Sequence, residues 1–439
     1  MVRQPSTSEG ATTSEPIDEP APRKPTGRDR FGIWSLAIAN AISQTGNSIT
    51  ALAVPWFVLI TTDSASRTGL AGAVVALSPV FAGLVSGPVV DRLGFRLSSI
   101  VSDALSGVTV ALIPMFYLLD WLTFSQLLIL LFLGTFFDVP GHTARSALVP
   151  SLARRAGMPL ERANSIMHVS FGTSDAVVAP LIAGVLIAAV GAANVLFIDA
   201  GTFAVSILIV ALLITVRPAK GEATREDESA GEEGAGKLDR LLAGFRFVLR
   251  DRVLQTVLPV AILFNFIGRA YGGVLLPVYV RDEFDNPTYF GLIIAAMGIG
   301  MLVGVLLYGA YGHRFGRYNV FLAGFTLSAA SIWLFTLPTY LPSDLIAMFF
   351  FGIGMGPANP LLQTLLQIRT PERMLGRVLS AIFTLFTVAS PLGALLAGIA
   401  IDLIGLRTTL IITAALMSIV PFWIGLAPWP RAAAPAFEE

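Results

Sequence analysis

From Ile33 to Leu426 the chain is a succession of long apolar runs separated by short polar breaks, and this pattern limits the fold more than any motif does. Inside a bilayer the backbone must satisfy its own hydrogen bonds, and a helix needs about 20 residues to cross the hydrocarbon core. The runs that reach that length are Ile33–Ile60, Gly69–Val90, Leu97–Leu119, Phe124–Leu148, Asn164–Val190, Ala193–Val216, Val253–Val280, Tyr289–Tyr311, Val320–Leu337, Leu345–Leu366, Val378–Ile404 and Thr408–Leu426. Several exceed a straight crossing, which implies tilt or bending. The expected architecture is an all-α polytopic membrane protein with twelve transmembrane helices. A composition of 54% hydrophobic and 13% charged residues excludes a water-soluble globule.

The chain has no cysteine and three histidines, so disulfides, thiolate metal sites and cysteine nucleophiles are excluded, and no cofactor or metal is expected. Its zero net charge supplies no basic face for nucleic acid. No strand-borne nucleophile is present, which argues against an enzyme. Residues 1–30 are rich in Pro, Ser, Thr and charge and read as a disordered tail rather than a signal peptide.

The turn Gly87-Pro-Val-Val-Asp91-Arg92-Leu-Gly94-Phe-Arg96 recurs 222 residues later as Gly309-Ala-Tyr-Gly-His313-Arg314-Phe-Gly316-Arg317. Each copy puts fixed charge on a glycine-tolerant reversal at a membrane edge. The repeat extends to Pro55 with Pro277, Pro140 with Pro357, and Gly184 and Gly191 with Gly398 and Gly405. Two six-helix halves in parallel orientation follow, residues 31–216 and 253–427, with a substrate expected near the midplane where they meet.

Residues 217–252 connect the halves, and residues 428–439 form a second tail. From Lys220 to Lys237 the connection is Glu- and Gly-rich, a flexible linker. Its Gly231-Glu-Glu-Gly-Ala-Gly236-Lys237 approaches a phosphate-binding loop, but Leu238 replaces the Ser or Thr and no strand precedes it. Leu238–Leu249 then has Leu241, Leu242, Phe245 and Val248 on one side and Arg240, Arg246 and Arg250 elsewhere. That spacing predicts an amphipathic helix on the inner membrane surface.

An even number of crossings places both termini on one side. With that side cytoplasmic, the only Lys and Arg residues away from inner segments and inner helix ends are Arg67, Arg281 and Arg407 on outer loops and Arg269 within the seventh helix, as the positive-inside rule requires. Both charged turns then face the cytoplasm.

These motifs resemble the major facilitator superfamily and, within it, the twelve-helix bacterial drug exporters that include macrolide efflux proteins and actinobacterial tetracycline/aminoglycoside pumps. Gly87, Asp91, Arg92, Gly94 and Arg96 match the superfamily's signature loop. Pro140-Gly-His-Thr-Ala-Arg145 through Leu148 and Pro150, and Pro391-Leu-Gly with Leu396-Ala-Gly398, are similar to the exporter subgroup. Two stretches depart from it: Ala179-Pro180-Leu-Ile-Ala183-Gly184 keeps part of the exporter signature of helix 5, and Leu-Phe-Leu-Gly134 lacks the arginine that many proton-coupled antiporters carry there. The resemblance implies the major facilitator fold and secondary active export of amphiphilic drug-like molecules across the bacterial cytoplasmic membrane by alternating access. It also implies proton antiport, through residues other than that arginine, by a monomer in the lipid bilayer. An uptake permease, or an exporter of a metabolite or siderophore, would share the fold.

The residues expected to act fall into three groups. The gating latch comprises Gly87, Asp91, Arg92, Gly94, Arg96 and Arg314; Asp91 would accept hydrogen bonds from the N-terminus of helix 11 near Arg377 and Val378, favouring the outward-open state. His313 cannot take that anionic role. Proton-coupling candidates are Asp175, roughly 16 Å into helix 5 at 1.5 Å per residue, and Asp138 with His142 one turn away in helix 4. Asp103, Asp120, Asp199 and Asp402 lie nearer helix ends and read as interfacial. Substrate-binding candidates are Asn40, Gln44 and Asn47 on one face of helix 1, and Phe264, Asn265 and Arg269 in its repeat counterpart, helix 7. The competing readings are interhelical hydrogen bonding for the amides, internal salt bridges for the acids, and a permanent Asp175–Arg269 pair. Aromatic residues such as Phe136, Phe137, Phe171, Phe264 and Phe266 suit amphiphiles better than sugars.

Overall fold

The computed structural model describes residues 27–173, 178–214, 246–248, 250–337 and 340–426. Asp175 and nearly all of the expected amphipathic helix lie outside them. The described chain is helical: α1 Gly27–Thr62, α2 Ala65–Leu93, α3 Phe95–Leu118, α4 Phe124–Ala156, α5 Leu160–Thr173, α6 Ala179–Val190 and α7 Ala192–Leu213 precede the linker. After it come α8 Arg252–Ala270, a π-helical turn at Tyr271–Leu275, α9 Leu276–Phe284, α10 Pro287–Tyr311, α11 Arg317–Leu334, α12 Leu341–Met355, α13 Ala358–Arg369, α14 Glu372–Ile404 and α15 Leu406–Leu426.

Local sequence explains where these helices begin and end. Thr123 and Gln126 form a reciprocal capping box at the start of α4, with Gln126 N donating to Thr123 Oγ1 at 3.3 Å and Thr123 N donating to Gln126 Oε1 at 2.8 Å. Asn286 caps α10, and Pro287 takes the first helical position, where a missing N–H costs nothing. Gly191 and Gly405 each separate two helices at φ +82° and +83°, a left-handed backbone that favours glycine. Their agreement supports the repeat read from the sequence.

Among the described residues, nine helical stretches are long and apolar enough to cross a membrane, against the twelve expected. The shortfall has visible causes. α1 carries Asn40, Ser43, Gln44, Asn47 and Ser48, α11 is only 18 residues and starts Arg-Tyr-Asn, and α6 is only 12 residues. Leu84, Leu212, Leu403 and Phe422 point outward with more than 70% of their surface exposed, as lipid-facing side chains would.

Packing repeats between the halves. In the first, α4 packs on α2 and α3, and α7 on α1 and α3; in the second, α12 packs on α10 and α11, and α15 on α8 and α11. Two symmetry-related contacts join the halves, α2 with α14 and α6 with α10. Both rely on missing side chains. A Cβ on Gly69 would run into the Ala394 carbonyl, one on Gly398 into the Ala65 carbonyl, and one on Gly291 into the Pro180 carbonyl beside Gly184. The same end carries the ion pair of Arg281 and Asp63 at 2.8 Å, so we refer to it as the joined end.

Candidate functional site

Between the halves lies a cavity of about 350 Å³ lined by Ala51 and Leu52 of α1, Phe264, Asn265, Gly268 and Arg269 of α8, Gly272 and Gly273 of the π turn, and Ile294 of α10. Helices 1 and 7 of the sequence reading therefore do meet around an open space, and all three candidates from helix 7 face it. Phe264 stands edge-on to Phe325, with ring centroids 6.2 Å apart. Asn265 donates to the Ala261 carbonyl at 3.0 Å. Arg269 is exposed to the cavity and makes no ion pair or hydrogen bond among the described residues. A charge at this depth costs about 2.5–3.5 kcal/mol even on lenient insertion scales, so its retention needs a reason.

The helix 1 candidates lead to a polar cluster inside the first half. Arg145 of α4 is fully buried; its Nη1 contacts Asp103 Oδ1 at 2.6 Å, and its Nε donates to Asn40 Oδ1 at 3.1 Å. Asp103 Oδ2 accepts from Ser206 of α7 at 2.7 Å. Arg145 Nη2 faces Asp138 Oδ1 at 3.8 Å, and neither atom has a hydrogen-bond partner. Asp138 Oδ2 instead accepts from Asn47 at 3.0 Å, and Asn47 also donates to Gln44 at 3.2 Å. His142 lies between Asp138 and Arg145 on α4, one turn from each. Nearby, Asp199 of α7 is buried and accepts from Thr50 at 2.6 Å and Thr202 at 3.3 Å. One guanidinium thus serves a group holding three carboxyl groups, an excess of acid over arginine inside the helix bundle.

Two expectations change here. Distance to helix ends makes Asp103 and Asp199 interfacial, yet they are 0% and 1% exposed, because they face neighbouring helices, Asp103 against Arg145 and Ser206 and Asp199 against Thr50. Arg145, read only as part of a motif, is the centre of the cluster. Its signal was present: an arginine inside an apolar run, three and seven residues after His142 and Asp138, shares their helix face.

Asp402 lies near the end of α14 and spans the gap to the start of α2, accepting from Ser64 Oγ at 3.3 Å, Ser66 N at 3.0 Å and Ser66 Oγ. A carboxylate against the first-turn N–H groups of a helix is a favourable pairing. It clasps the joined end.

At the opposite end, Arg96 donates to the carbonyls of Val210 and Ala211, the last turn of α7, and so anchors the turn within its own half. Asp91 and Arg92 are exposed, and Asp91 has no partner among the described residues. Gly94 reverses the chain at φ +76°, whereas Gly316 sits at φ −59° after a short 3₁₀ turn, so the two copies fold differently. Arg314 lies 5.6 Å from the centre of the Tyr311 ring. The side chains of His313 and Arg377 are outside the described set, as are Asp175 and its expected pairing with Arg269. Gly87 has open space around it.

Known proteins resemble the chain throughout. The model of the Major Facilitator Superfamily matches residues 36–394 and 258–438. The chain is 33% identical over 398 residues to the multidrug efflux pump Tap of Mycolicibacterium fortuitum, covering 88% of this chain and 92% of that one. It is 26% identical over 343 residues to the enterobactin exporter EntS of Salmonella choleraesuis, covering 78% of each. The crystal structure of the nucleoside transporter NupG superposes with a TM-score of 0.69 at 12% identity, covering 91% of this chain and 98% of that one.

Proposed function

The chain belongs to the major facilitator superfamily, a multi-pass membrane transporter rather than an enzyme, and from that premise we propose that it exports amphiphilic, drug-like molecules across the cytoplasmic membrane by alternating access coupled to protons. The observation that carries this reading is the placement of the cavity between two halves that, among the described residues, the glycine crossings and the Asp402 clasp hold together at one end. Reversing that asymmetry would present the cavity to the other side. The likeness to a multidrug pump and a siderophore exporter supports the direction of transport.

Positive charge favours the cytoplasm for both termini and both charged turns, so the joined end is the outer one and the cavity opens inward. In the outward-open state Asp91 meets the N-terminus of α14. Asp138 is the proton carrier of choice among the described residues, since it is half-engaged: one oxygen is held by Asn47 and the other waits opposite Arg145. Asp175 remains a second carrier, and the protein acts as a monomer.

Expression in a pump-deficient host tests the reading. Cells should accumulate less of several amphiphilic dyes and antibiotics, and a protonophore should abolish the difference. Unchanged accumulation with protein present in the membrane rules out export, and protonophore-insensitive efflux rules out the proton coupling.

A further inference from the structure

We propose that the inter-half cavity selects amphiphiles bearing an anionic, two-oxygen group, such as a carboxylate or a ketone–enolate pair, and that Arg269 is the residue that reads it. This rests on the transport reading above and names the class of substrate the site takes.

Among the described residues each of the four carboxylates buried or half-buried within the membrane-spanning helices already accepts at least one hydrogen bond from within the protein. Asp103 is held by Arg145 and Ser206, Asp138 by Asn47, Asp199 by Thr50 and Thr202, and Asp344 by the Tyr279 hydroxyl at 2.9 Å. Among the described residues Arg269 is the one cation that lines the cavity, and no carboxylate lines it opposite. A guanidinium differs from an ammonium in offering a planar fork of N–H donors matched to two oxygens in one plane. Within a site shielded by helices, that fork gains most from a ligand that brings the missing negative charge.

The surroundings describe the rest of the ligand. One turn before Arg269, Asn265 gives one of its two amide hydrogens to the Ala261 carbonyl, which leaves its Oδ1 to accept from a ligand O–H or N–H and its second N–H to donate. Phe264, Leu52 and Ile294 supply an apolar wall. Gly268, Gly272 and Gly273 have nothing within 4 Å of an added Cβ, so three positions along the cavity wall leave room for a ring system rather than filling it. The ligand is therefore a flat or compact apolar body with one anionic edge and a neighbouring donor.

The test uses a matched probe pair, a fluorescent aromatic carboxylic acid and its methyl ester, with binding to purified protein in nanodiscs read by polarisation. The parent should bind the acid about tenfold more tightly than the ester, the scale of one charge-assisted bidentate contact. Arg269→Gln should bring the ratio close to one, and Arg269→Lys should retain part of it. Equal binding of acid and ester by the parent, or an acid preference that survives in Arg269→Gln, overturns the proposal. If Arg269→Gln does not fold, the parent ratio and a Gly272→Leu variant, which should weaken binding of both probes alike, still decide it. Efflux of the two probes from cells is scored separately: acid-selective binding without export would defeat the transport reading while leaving the ligand class intact.

Discussion

With Pro140 set against Pro357, the positions of Asp138, His142 and Arg145 in the first half are occupied in the second by Met355, Asn359 and Leu362. The offsets of the charged turns and of Gly191 and Gly405 likewise place Phe325 opposite Asp103 and Thr413 opposite Asp199. In the other direction, Pro55 and Pro277 align Arg269 with Asn47. The duplicated scaffold has kept its packing, down to the matched backbone at Gly191 and Gly405, while its buried charges have separated. Among the described residues the first half holds a group of acids around one arginine, and the second holds one buried acid, Asp344, paired with the Tyr279 hydroxyl, and an arginine facing the cavity. This division teaches that fold and chemistry are carried by different residues in the same helices: glycines and prolines set the crossings, and a few side chains per helix set the electrostatics.

The comparison breaks most severely at Asp103. Asp103→Ala leaves Arg145 buried beside an empty site, a loss of about 3–5 kcal/mol for a broken buried pair, whereas Phe325→Ala at the matching position should cost about 3–5 kcal/mol through its cavity alone. Thermal unfolding of both proteins in the same detergent measures this. Restoring a hydrogen-bonding partner with Asp103→Asn should recover part of the first loss, while no polar residue should recover the second.

Asp138→Asn sharpens the division of labour. It should abolish substrate-induced proton release and uphill efflux yet leave the protein folded, because Asn47 can still donate to the new amide oxygen. Downhill substrate exchange should persist. Release equal to the parent's in Asp138→Asn and in Asp175→Asn would move coupling elsewhere.

The two ends of α2 and α14 extend the comparison to conformational change. At the joined end, Asp402→Asn removes the charge from contacts with Ser64 and Ser66 that are exposed to solvent, so a shift of about 1 kcal/mol is expected. Cysteine labelling at that end should increase severalfold. At the other end, Asp91→Asn should weaken closure by only about 0.3–1 kcal/mol, the usual worth of an exposed charge at a helix terminus. Labelling from the cytoplasmic side should rise slightly, and an unchanged rate would refute the latch.

Much of this was legible in the chain. Apolar run length announced the helices, since a bilayer leaves the backbone few alternatives. The repeated glycines and prolines announced the halves, and the helix 7 candidates Phe264, Asn265 and Arg269 do line the space between them. The acids were less legible, because distance from a helix end says how deep a residue sits along its own axis and nothing about what stands beside it.

The sequence by itself determined that the chain is built of membrane helices, and it supplied the repeated glycines and prolines and the charges the helices carry. Only the tertiary structure decided that Asn40, Asp103 and Arg145, on three helices and up to 105 residues apart, form one buried group, and that Asp402 reaches across 336 residues to Ser66. The physical reason is that pairing a charge depends on a few ångströms of lateral separation between helices. That separation is set by which small residues let two backbones approach, so it exists only once all the helices have packed.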